Sequence, residues 1–394
     1  MDTHQALGIG SGRTAYLAYL EENGLSEADV LPLLPETDEA TNAKVAEILK
    51  EAERAGHTDL VQRFRRASSG NTNLLLEQLS THLTDRLAQA GLAVPAKSFA
   101  GVYPTNSFNA HVIKRAGVNV ILVNSGTFEL VGPIAALLCS LEPGNARVHA
   151  RKAASLLRAY CEARQLPGSD DLQDLRPRGD QMTAAVALST SIEEFIVAHE
   201  YGHLANGDVG DEVTELSTPS GHAISVAAKT KDQEFAADLW AAHAVTQGSW
   251  ANAGEEERIL KCSGPLMFLS MAGLIEAWFE SKGHRSDTHP PAGDRYIELI
   301  TAFAKAGLYR YTELAITFDQ FCWLVAEELG VAIDKREAQL LVVGHIGGMV
   351  QDGLQEAISI PSQGSRIYMS TSGKAPTKKG RPWSQFWSGI RGDS

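Results

Sequence analysis

The chain has 394 residues, 44% hydrophobic and 21% charged, enough to bury one large core or two to three smaller ones. Its formal net charge of −13 argues against a general nucleic-acid surface, because phosphate binding needs clustered cations. The opening Met1-Asp2-Thr3-His4 has neither the basic start nor the apolar run of a secretory signal, and no apolar run reaches the roughly 18 residues of a membrane span.

Residues 1–95 read as a polar helical region, with helix candidates at Gly12–Asn23, Thr41–Ala55, Asp59–Ala67 and Asn71–Ala90. The glycines at positions 8, 10 and 12 are not a phosphate loop, since no Gly-Lys-Ser/Thr follows; a mobile N-terminal segment is expected. Phe99–Tyr103 and Val118–Val123 are bounded by turn residues and read as strands, followed by a helix start near Thr127–Leu130. Residues 132–165 look helical and 166–181 form a polar loop.

Thr190–Asp208 follows as a helix. Ser191 and Glu194 have the spacing of a capping box, and Gly207 is a natural stop. A loop with Pro219 and Gly221 leads to a helix at Lys231–Gln247. Residues 255–283 are helical, and the apolar stretch Gly264–Phe279, short and interrupted by Glu276, reads as a buried core helix. Ser286–Pro291 is a loop before a helix at Gly293–Ala306, and two or three more helices fill 311–360. The final segment, 362–394, is basic and rich in Ser and Gly, the composition of a disordered or loosely docked tail. Cys139, Cys161, Cys262 and Cys322 are scattered without a Cys-x-x-Cys pair, so reduced, buried thiols and a cytoplasmic protein are expected.

The chemistry centres on His199-Glu200-Tyr201-Gly202-His203, an H-E-x-x-H sequence. Histidines four apart on a helix share a face and can grip one Zn²⁺, with Glu200 beside them to move a proton. Ile192, Phe195, Ile196, His199 and His203 follow the spacing of one buried stripe, so the imidazoles point inward. A catalytic zinc needs a third protein ligand. The metzincin continuation fails, because Asn206 and Val209 stand where Gly and His are required. A Glu on a following helix is the other common solution, and Glu234 supplies it; Asp238, four residues on, shares its face and is placed to orient a ligand histidine. His222 and His243 are weaker ligand candidates with no motif partner.

HEYGH, then EFAAD, then Asp287-Thr288-His289-Pro290-Pro291 with Arg295 beyond, together resemble the HtpX-like and CAAX-prenyl-endopeptidase-type gluzincin metallopeptidases. Phe108-Asn109-Ala110 and Val118–Gly126 look like that family's segment upstream of the zinc helix, so the likeness spans roughly 99–300. It implies an α+β, mainly α, zincin-like domain (96–305) with a small mixed sheet beside the zinc helix. Helical regions would flank it at 1–95 and 306–361, with the tail at 362–394. It further implies one Zn²⁺ per chain, held by His199, His203 and Glu234, with Glu200 as the base and Asp238 supporting the ligands. His289 would lie near the scissile carbonyl, Arg295 would shape the site, and the strand carrying Val118, Val120 and Leu122 would bind substrate as an added strand. The family's membrane segments are missing, and the short gap from His203 to Glu234 is closer to ImmA/IrrE-type regulatory proteases. The expected function is a zinc endopeptidase acting on a protein or peptide, with no nucleic acid and no membrane span. The alternatives are a dedicated protease for one regulatory partner, a non-catalytic binding module that retains a zinc site, and a latent enzyme covered by its own insert or tail.

Overall fold

The computed structural model describes residues 9–26, 50, 53–54, 72–89, 92, 98–105, 108–115, 117–141, 144–163, 180–208, 214–217, 223–226, 229–247, 253–284 and 290–333. The expected helices at 41–55 and 59–67 fall mostly or wholly outside them. The polar loop at 166–179, His222, the loop carrying His289, and everything after 333, including the basic tail, lie outside them too.

Three strands form one mixed sheet in the order β1 (Ser98–Tyr103), β3 (Val118–Asn124), β2 (Ala110–Arg115). β1 runs parallel to β3, and β2 antiparallel to it. The sequence of β3, VNVILVN, is almost continuously apolar, and all but Asn119 is buried. That is the pattern of a strand covered on both faces. β2 was not anticipated as a strand. Its first three residues are buried and its end, Lys114 and Arg115, is exposed, so apolar alternation never runs long enough to show. A separate antiparallel pair, β4 (Thr214–Ser217) and β5 (Ala223–Val226), lies in what read as a loop.

The fold is mainly helical. Helices α1 (Ile9–Glu22) and α2 (Thr72–Gln89) pack on β1, and Tyr16 of α1 donates its hydroxyl to the Val102 carbonyl (2.7 Å). α3 (Ser125–Cys139) and α4 (Ala146–Ala163) follow the sheet. α5 (Asp180–Asn206) then crosses the middle of the molecule, packed against α3, α6 (Lys231–Gln247) and α7 (Glu255–Ser281). α8 (Ala292–Lys305) and α9 (Glu313–Leu329) complete the helical layer. Among the described residues only α7 is long and apolar enough to cross a membrane, and 61% of its most apolar window is buried within the fold. It is a core helix, as the sequence suggests. All four cysteines are buried and free.

α5 starts at Asp180 rather than at Ser191. Ser191 is therefore not a cap. It sits in the middle of the helix and donates its hydroxyl to the Leu260 carbonyl of α7 (3.0 Å), where Gly264 lets the two helices approach. A Cβ on Gly264 would stand 2.8 Å from that of Ser191. Glu194, the presumed partner in the box, is buried within the same helix.

Candidate metal centre

The site is built where α5 meets α6. Gly202, inside the H-E-x-x-H sequence, makes their closeness possible: a Cβ there would lie 3.0 Å from the Cα of Ala237. α5 carries His199, Glu200 and His203, all buried, and α6 turns Glu234 and Asp238 toward them, with Glu234 fully buried. The two expected histidine ligands and the expected glutamate do converge. Their ligand atoms lie within 4.8 Å of one another. Nε2 of His199 is 3.1 Å from Nε2 of His203, and each is 3.4 Å from an oxygen of Glu234. Two ligands about 2.05 Å from a tetrahedral zinc are separated by roughly 3.3 Å, so the spacing fits. Two imidazole nitrogens this close to each other and to a carboxylate must share either protons or a cation.

The far nitrogens of both rings face carboxylates. His199 Nδ1 stands 2.9 Å from Asp238 Oδ1, at ion-pair distance rather than in a straight hydrogen bond. His203 Nδ1 is 3.2 Å from Asp208 Oδ2. A proton held on each Nδ1 leaves the Nε2 lone pairs free for a metal, which is how such carboxylates make imidazoles better ligands. Asp208 was not anticipated. Gly207, at φ +76°, ends α5 and reverses the chain, and the Asp208 amide donates to the His203 carbonyl (2.9 Å). Proximity to H-E-x-x-H was its only signal.

Arg295, expected to help shape the site, lies against its two carboxylates. From the first turns of α8 it donates Nε and Nη2 to the two oxygens of Asp238 (2.7 and 2.6 Å), and its Nη1 lies 3.4 Å from Glu234. α8 is held there by Lys231 of α6 paired with Asp294 (2.5 Å) and by Glu276 of α7, which accepts from the Ala292 amide (2.9 Å). Burial alone would lower the His199 pKa, but the Asp238 and Glu234 carboxylates outweigh it and push it up to about 9. Burial would raise the two carboxylates, yet the histidines and Arg295 hold Glu234 well below the ordinary range, and Arg295 with His199 lowers Asp238.

Other expectations fare differently. His289 lies outside the described residues, and His243 is exposed on α6. Val118, Val120 and Leu122 are on the central strand. Val120 and Leu122 pair with β1 on one side, and all three pair with β2 on the other, so no substrate strand can add along β3. The outer strands are β1, covered by α1 and α2, and β2, which lies against α5 and whose second side pairs with no strand among the described residues. β2 carries a further unanticipated residue, His111, buried and within electrostatic reach of Glu200.

Residues 152–308 match the family model of Peptidase U49. The matched segment runs from α4 to α8 and contains every residue of the metal cluster together with Arg295. It supports a peptidase in general terms and does not single out the HtpX-like or CAAX type. No curated protein and no solved structure matches the chain.

Proposed function

We propose that this protein is a zinc-dependent endopeptidase with Glu200 as its general base. The observation that carries this reading is the convergence of His199 Nε2, His203 Nε2 and the Glu234 carboxylate at tetrahedral spacing, inside a segment matching a peptidase family. His₂Glu with an open fourth position is a catalytic rather than a structural donor set. When bound, zinc supplies Lewis-acid chemistry, acidifying water toward a pKa of ~7 and polarising a carbonyl.

This chain's own residues then do the proton work. Glu200 accepts a proton from the attacking water as its oxygen bonds to the peptide carbon, and returns it to the amine as the C–N bond breaks. Asp238 and Asp208 keep the imidazoles oriented, and Arg295 holds Asp238 in place. An extended substrate runs along the outer side of β2, where backbone pairing gives affinity with little sequence choice.

The test is the zinc-loaded wild type and its Glu200→Gln variant on a proteome-derived tryptic peptide library read by mass spectrometry. Wild type should cleave internal bonds, and Glu200→Gln should retain stoichiometric zinc and lose cleavage by at least about 10³-fold, within the range a general base contributes. A Glu200→Gln protein that cleaves at the wild-type rate overturns the assignment.

A further inference from the structure

Resting on the peptidase reading above, we propose that His111 is a substrate-contacting residue of the catalytic centre, its Nε2 hydrogen-bonding the peptide group that is cleaved beside Glu200. His111 is the second residue of β2, the strand that lies against α5. The start of that strand is pinned to α3: the Asn109 amide donates to the Thr127 hydroxyl, which donates in turn to the Asn109 carbonyl, both at 3.1 Å. The ring stands edge-on to Tyr103, with centroids 6.2 Å apart. It is a fixed imidazole, 6% exposed.

Its Nε2 is buried and has no hydrogen-bond partner among the described residues. An unmet polar atom is among the costlier things to bury, and an aromatic residue of similar shape would pack against Tyr103 without that cost. A histidine is explained there if its partner arrives from outside the chain. The strand that carries it lies against α5, the helix of the general base, and the Glu200 charge reaches the ring. Burial lowers the imidazole pKa and outweighs the Glu200 charge, which raises it, leaving it at about 4. A neutral ring leaves the negative charge of Glu200 uncompensated, as a base requires, while still offering a hydrogen bond to a peptide carbonyl or amide.

The experiment uses the zinc-loaded full chain with His111→Phe, which keeps an aromatic ring and removes the polar atom, and His111→Gln, which restores a polar atom at similar reach. The probe is the peptide that wild type cleaves best from the tryptic library. Zinc content, melting temperature, kcat and KM are measured for each. Affinity for the same peptide is compared between Glu200→Gln and the Glu200→Gln/His111→Phe double variant. His111→Phe should bind stoichiometric zinc, melt no lower than wild type, and lose about 10- to 100-fold in kcat/KM, with His111→Gln recovering part of the loss. The double variant should bind peptide several-fold more weakly than Glu200→Gln.

Wild-type kcat/KM in His111→Phe overturns the assignment and leaves the peptidase reading intact; it is the result expected if an internal water satisfies Nε2. A loss that tracks lowered zinc content or melting temperature also overturns it, in favour of a packing role. A wild type that cleaves no peptide overturns the peptidase reading, and this assignment with it.

Discussion

The variant Gly202→Ala tests how close α5 and α6 must sit for the metal site to form. A Cβ at residue 202 would lie 3.0 Å from the Cα and the carbonyl oxygen of Ala237 and 3.3 Å from its Cβ. Carbon atoms pack best at about 3.5–4.0 Å, so α6 would have to retreat by roughly half an ångström. Glu234 rides on α6, one turn before Ala237, whereas His199 and His203 ride on α5. Zinc–ligand distances tolerate only about 0.2 Å, so the displacement exceeds what the ligands absorb. Two effects oppose each other in the stability of the metal-free chain. Alanine is favoured over glycine within a helix by about 1 kcal/mol, and overpacking costs about 1–3 kcal/mol. The net loss is therefore small, between roughly 0 and 2 kcal/mol. Zinc affinity registers only the displacement and should fall by at least about tenfold, ~1.4 kcal/mol. Competition against a chromophoric chelator gives the affinity, and a thermal melt without metal gives the stability. Zinc affinity within twofold of wild type would refute the idea that this helix contact sets the ligand spacing.

Asp238→Asn should weaken zinc binding about 10- to 100-fold by the same competition. It should also lower the metal-free melting temperature, because the buried guanidinium of Arg295 exchanges its bidentate carboxylate for a neutral amide and keeps only the longer contact to Glu234. Asp208→Asn removes a single 3.2 Å contact to His203, so zinc affinity should fall about tenfold with little change in the melt. The pH dependence follows from His111, whose pKa falls from 6.5 to about 4 on folding. Between those values the unfolded chain takes up a proton that the folded chain refuses, so this contribution to stability is complete above pH 6.5 and lost as pH falls toward 4. Its depth is on the order of 3 kcal/mol. In His111→Phe the acid-side fall in melting temperature of the metal-free protein should accordingly be shallower, and an unchanged pH profile would contradict the burial argument.

The parts of this molecule legible in its sequence are those whose determinants are local. His199 with His203, and Glu234 with Asp238, are each four residues apart on a helix, so the spacing alone puts each pair on one face. The bounds of α6 are those expected, Lys231–Gln247. Spatial order is different in kind. Whether β3 is central or at the edge depends on β2, a six-residue strand ending in Lys114-Arg115 that carries no clear alternation. Once β2 pairs with it, the hydrogen-bonding edge expected at Val118, Val120 and Leu122 no longer exists. Ser191 and Glu194 show the same limit on α5. Their spacing fits a capping box, but tertiary packing against Leu260 and Gly264 decides that the helix continues through them. His111 gives no local sign at all, because its meaning comes from Glu200, which is remote in sequence and near only in space.

The charges at this site explain why its acids and bases come as a set. Glu234 and Asp238 carry two negative charges into the buried junction of α5 and α6, and Arg295 cancels one of them. Without metal His199, whose raised pKa lets it hold a proton near neutral pH even though it is buried, offsets the other. A divalent cation held at the same point would displace that proton, and the Asp208 carboxylate beside His203 would contribute negative charge to its surroundings as well. Removing Arg295 would leave two buried acids facing each other, one turn apart on α6. Removing the charge of Glu200 would leave in place the contacts that gather the ligands, which run through His199, His203, Glu234, Asp238, Asp208 and Arg295. The residue proposed to move the proton stands apart from those contacts, so its substitution is expected to separate catalysis from metal binding.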